Sequence, residues 1–117
     1  MKVSKGEVQR AAKLARLLGN PVRLRILLAL REGPKCVTEL MRETGRTQAN
    51  VSQHLMVLRA AGIVAFEREG MRSVYRLRSQ RMEALLDKLL AFAEESHELD
   101  RIEGMERRPC VPKRCKW

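Results

Sequence analysis

Apolar residues recur along this chain with two periods, and the switch between them separates helices from a hairpin. In "GEVQRAAKLARLLG", Val8, Ala11, Ala12, Ala15 and Leu18 fall at helical spacing. Leu14 and Leu17 widen that stripe, and Gly19 stops it. "NPVRLRILLALREGP" follows, with Asn20 as N-cap, Pro21 at the first helical position and Gly33-Pro34 as terminator. Val22, Ile26, Leu27 and Leu30 share one face of this second helix. A short third helix in "CVTELMRETG" turns Val37, Leu40 and Met41 inward and closes at Gly45. The fourth, "TQANVSQHLMVLRAAG", starts at Thr47, ends at Gly62 and aims Val51, Leu55 and Leu58 at the core. In "IVAFEREGMRSVYRLR" the period drops to two around Gly70, which predicts a two-stranded hairpin rich in strand-forming Ile63, Val64, Phe66, Val74, Tyr75 and Leu77. "SQRMEALLDKLLAFAEESHELD" returns to helical spacing as one long amphipathic helix capped by Ser79, with Met82, Leu85, Leu86, Leu89, Leu90 and Ala93 as its stripe.

This order predicts a mainly α fold with a small β-hairpin, a winged helix-turn-helix. The short third helix holds the fourth clear of the body, so the fourth can enter a DNA major groove. Groove entry requires side chains that donate and accept hydrogen bonds at base edges, and Gln48, Asn50, Ser52, Gln53 and His54 supply them. Thr47 and Arg59 lie at the two ends of the same outward face. The hairpin brings Arg68, Gly70 and Arg72 to its tip, suited to a phosphate or an adjacent minor groove. The apolar stripes of the first and last helices are too wide for one small, aromatic-poor core, so a homodimer through those helices is expected.

Composition sharpens this picture. The chain has 117 residues, and aromatics make up only 3% of it. Its core must therefore be built from Leu, Ala, Val and Met, which suits small packed helices. The net charge of +10 is uneven: residues 1–78 hold 16 Lys and Arg against 6 Asp and Glu, whereas residues 81–106 hold 3 against 8. A basic first two-thirds points to a polyanion, here double-stranded DNA. No run of eighteen apolar residues suggests a membrane span, and "MKVSKGEVQR" has no apolar signal region, so the expected compartment is the cytoplasm. There is no Gly-rich phosphate loop, no Gly-x-Ser-x-Gly elbow and no C-x-x-C, so an enzyme is not expected.

The stretch from Leu14 to about residue 78 resembles the ArsR/SmtB family of bacterial and archaeal repressors. The resemblance rests on the "L-GNPVRLRIL-L" opening, the "QANVSQHL-VLR-AGIV" helix and the "REGMRSVYRL" wing. It implies a homodimer whose first and last helices form the interface, a palindromic operator, and release of DNA when an inducer binds. By position, the family's DNA contacts fall on Gln48, Ser52, Gln53 and His54, with the wing at Arg68, Gly70 and Arg72.

Candidate sensing residues are sparse. One family site is a Cys-Val-Cys at the start of the third helix; here Cys36 fills the first position and Thr38 the second. Another uses carboxylates and histidines on the last helix, but Leu89 stands where a histidine is required after Asp87, and His97 follows at too short a spacing. The closing "RRPCVPKRCKW" places Cys110 and Cys115 among five cations, which favour thiolate over thiol. Ten residues of extended chain span about 33–36 Å, enough to bring these thiols to Cys36 in either subunit. Trivalent arsenic or antimony, or another soft metal ion, is thus the expected inducer, and no cofactor is obligatory. A redox or reactive-sulfur sensor using a disulfide, and a DNA-binding module without a ligand, are the alternatives. The expected organisation is a DNA-binding and dimerisation domain over residues 1–103 and a basic cysteine-containing tail over residues 104–117.

Overall fold

Each helix begins where a side chain can satisfy its free N–H groups. In a computed structural model that describes residues 2–102, Ser4 accepts from the Glu7 amide to open α1 (Lys5–Leu18). Asn20 accepts from the amides of Val22 and Arg23, at 2.9 and 3.1 Å, to open α2 (Pro21–Arg31). Cys36 is the N-cap of α3 (Val37–Thr44), its amide donating to Glu39 Oε1 at 3.0 Å. Thr47 accepts from the Asn50 amide to open α4 (Gln48–Ala60). The turn between α3 and α4 is closed by Gly45, whose φ of 68° lies in the left-handed region. Thr44 Oγ1 donates to the Leu40 carbonyl at 2.8 Å and accepts from the Arg46 amide, which locks the same turn.

Strands β1 (Val64–Glu69) and β2 (Arg72–Leu77) pair antiparallel, with Val64 opposite Leu77 and Glu69 opposite Arg72. Gly70 and Met71 make the two-residue turn, and the positive φ of 62° at Gly70 is the type II′ requirement for its first position. Lys35 and Tyr75 exchange backbone hydrogen bonds of 2.8 and 3.0 Å, so the segment entering α3 is fastened to the wing. Ser79 Oγ accepts from the Arg81 amide at the start of α5 (Gln80–Glu95).

The core is Ile26, Leu27, Ala29 and Leu30 of α2, Leu40 of α3, Val51, Leu55 and Leu58 of α4, Ile63 and Val64 at the start of the hairpin, and Leu86. Val74 is buried as well. The fold is therefore the winged helix-turn-helix expected. One expectation changes in detail. The last helix does not run to Asp100: it ends at Glu95, and His97–Arg101 form a 3₁₀ turn. Ser96 causes the break, its hydroxyl donating back to the Phe92 carbonyl at 2.9 Å and competing with the helical ladder. Of the stripe on α5 only Leu86 is buried; Leu85, Leu89 and Leu90 remain more than a third exposed. None of the described helices is long and apolar enough to cross a membrane.

Candidate nucleic-acid interface

Helix α4 divides cleanly into two faces. Val51, Leu55 and Leu58 are at most 1% exposed and fix the helix on α2 and α3. Gln48, in the first turn, and Gln53, on the opposite side, stand in solvent, and Ser52 is half-buried. These three present amide and hydroxyl groups that the fold leaves free to meet base edges. Met56, one turn further along and 70% exposed, extends the face with an apolar contact of the kind that meets a thymine methyl. Sequence periodicity did not single it out, because an apolar residue off the core stripe carries no signal of its own.

The remaining candidates differ in how freely they face solvent. Thr47 spends its hydroxyl lone pair on the N-cap. Asn50 is half-buried, with its Oδ1 fully buried and without a partner among the described residues. His54 is half-buried, and its pKa is held below the ordinary 6.5, first by burial and then by the positive charges of Arg23 and Arg46. Arg59 lies over the Phe66 ring, 5.2 Å from its centroid, joining the end of α4 to the wing. Phe66 in turn packs on Tyr75 at 5.2 Å between ring centroids.

In the wing, Arg68 is exposed beside the Gly70 turn, and Arg72 pairs with Glu39 at the start of α3. Glu39 is a consequential residue that sequence spacing did not reveal. Its carboxylate receives the Cys36 amide and the Arg72 guanidinium together, and those contacts, the amide first, hold its pKa down. The signal was present as the Glu three residues after an N-cap, a capping-box position. The Cys36 thiol, half-buried, sits beside this ion pair, and its hydrogen bond first, then the Glu39 charge, raises the Arg72 pKa. Cys110 and Cys115 lie outside the described residues. Among the described residues no three His, Cys, Asp or Glu side chains come together as a metal site.

Comparison with known proteins agrees with this arrangement. Residues 20–65 match the model of the bacterial regulatory protein arsR family. The transcriptional repressor SmtB of Mycobacterium tuberculosis is 42% identical over 85 residues, 73% of this chain and 63% of SmtB. The chain thus spans less than two-thirds of that relative. The transcriptional regulator NmtR of the same organism is 40% identical over 92 residues, covering 76% of this chain and 77% of NmtR. A homodimeric winged helix-turn-helix DNA-binding domain from Mycobacterium bovis superposes with a TM-score of 0.72 at 28% identity, over 82% of this chain and 92% of that one. The antimony-specific transcriptional repressor AntR also reaches 0.72, at 30% identity over 84% of this chain and 89% of its own.

Proposed function

This chain belongs to the ArsR/SmtB family of winged helix-turn-helix regulators, and on that premise we propose that it is a homodimeric, sequence-specific transcriptional repressor released from its operator by a thiol-reactive inducer. The carrying observation is the outward face of α4, where Gln48, Ser52 and Gln53 are displayed by a helix whose other face is fully buried. A second copy would place two such helices on one side of the duplex, about one helical turn apart. Support for the dimer comes from the homodimeric M. bovis neighbour and from apolar side chains left in solvent, Val8 on α1 and Leu89 and Phe92 on α5.

The inducer reading rests on donor chemistry. Cys36 alone offers one thiolate, and the described residues add no second thiol and no cluster of three His, Cys, Asp or Glu, so they do not by themselves suit a multi-thiolate soft ion. Cys110 and Cys115 would complete the set, with As(III) or Sb(III) as the leading ligands; the likeness to antimony-specific AntR supports that choice. Inducer and DNA must then weaken each other's binding by the same factor. Gel-shift titration of the full chain with arsenite, antimonyl tartrate, cadmium and a disulfide-forming oxidant tests this. Release by the metalloids, lost in Cys110→Ser and Cys115→Ser, is expected. Retention of full response in both variants contradicts the cysteine site, and release by oxidant alone favours the redox alternative.

A further inference from the structure

Helix α1 carries cations that the reading helix does not explain. Lys5, Arg10, Lys13 and Arg16 are spaced so that, at 100° per residue, they fall on one side of the helix. Val8, Ala11, Ala15 and Leu18 occupy the other side, while Leu14 and Leu17, packed against the core, border Arg10 and Lys13. All four cations are exposed, and none has a carboxylate partner among the described residues; the only acid on α1 is Glu7. Arg10, Lys13 and Arg16 gather with Arg23 around a single groove floored by Leu14, Leu17 and Ile63. Arg23 is fixed there, its Nε donating to the Leu17 carbonyl at 3.0 Å. From that position its charge also acts on His54 of α4. The cationic side of α1 therefore borders, with Arg23, a groove that also meets Ala61, the residue capping the end of α4.

We infer that Arg10, Lys13 and Arg16 form a second DNA-contact surface, which binds backbone phosphates beside the base pairs read by α4. This inference rests on the DNA-binding reading above and adds to it a sequence-independent anchor. Such cations fix register and affinity without carrying sequence information. Their lack of a carboxylate partner among the described residues suits a phosphate ligand: no salt bridge within those residues has to break when DNA arrives. Arg23, bonded to the Leu17 carbonyl, ties the start of α2 to the end of α1 beside these cations.

The test is the salt dependence of binding to a fluorescein-labelled, mixed-sequence duplex, followed by anisotropy from about 50 to 200 mM NaCl. Each phosphate contact removed lowers the slope of log K against log[NaCl] by about 0.9. The variant Arg10→Gln, Lys13→Gln, Arg16→Gln should therefore lose roughly 2.7 per bound protomer. A control with Lys88→Gln and Arg101→Gln should keep the wild-type slope. Sedimentation should show the same oligomer for all three proteins. An unchanged slope in the α1 variant overturns the inference, as does an equal fall per charge in the control, which would be a net-charge effect. Dissociation of the oligomer by the α1 substitutions would also overturn it, assigning these cations to a protein contact. Absence of any salt-dependent DNA binding by the wild type would instead sink the DNA-binding reading itself.

Discussion

Helices α1 and α4 are nearly equal in length, 14 and 13 residues, and both alternate apolar and polar positions with helical spacing. Their fates differ. Helix α4 buries Val51, Leu55 and Leu58 almost completely, whereas α1 buries no residue and leaves Val8 51% exposed. The difference teaches how one small domain distributes its tasks. On the reading proposed above, the helix that presents side chains to base edges is anchored by its own core. The helix proposed to meet other macromolecules keeps both its apolar stripe and its charges available.

The sharpest way to break this comparison is to truncate one leucine on each helix. Leu55→Ala removes a side chain packed on every side and should cost about 2–5 kcal/mol of folding stability in urea titration. Leu14→Ala, on the half-buried side of α1, should cost less than half as much when both are measured at protein concentrations that keep the chain monomeric. Equal losses would mean that α1 belongs to the core. The next effect is smaller and compares the caps. Thr47→Ala should cost about 1 kcal/mol, because α4 cannot fray without disturbing the core. Ser4→Ala should cost less in thermal melts, since the first turn of α1 can open locally.

The smallest effect concerns pH. His54 binds a proton less readily folded than unfolded, since burial and then Arg23 and Arg46 oppose its charged form. Stability is therefore flat above the ordinary value of 6.5 and declines as the pH falls through it toward the folded pKa. His54→Gln should remove that share of the acid loss, seen as a smaller difference between urea midpoints at ~pH 7.5 and ~pH 5.5. An identical loss in the variant would assign it to other groups.

Most of the fold was legible because local rules and burial agree. Asn20-Pro21, Thr47 and Gly45 mark helix boundaries through capping chemistry that needs no tertiary partner. The three core positions of α4 follow from spacing alone. Legibility failed where a side chain competes with the ladder or reaches across the chain. Ser96 ends α5 by bonding to Phe92, although the apolar stripe alone would carry the helix onward. Arg72 stands at the hairpin tip as expected, but its pairing with Glu39, 33 residues away, is invisible to spacing. Arg23 likewise reads as one more helix cation until its bond to Leu17 and its charge on His54 place it between two helices.

Selection of bound duplexes from a random-sequence pool tests the central claim most directly. The wild type should enrich a palindrome whose half-sites lie about one helical turn apart, as two α4 helices on one face of the duplex require. The Gln48→Ala, Gln53→Ala variant should still bind the pool but lose preference within each half-site. Recovery of an unstructured pool with no enriched motif by the wild type, or the same motif by the variant, would contradict the assignment of α4 as the reading helix.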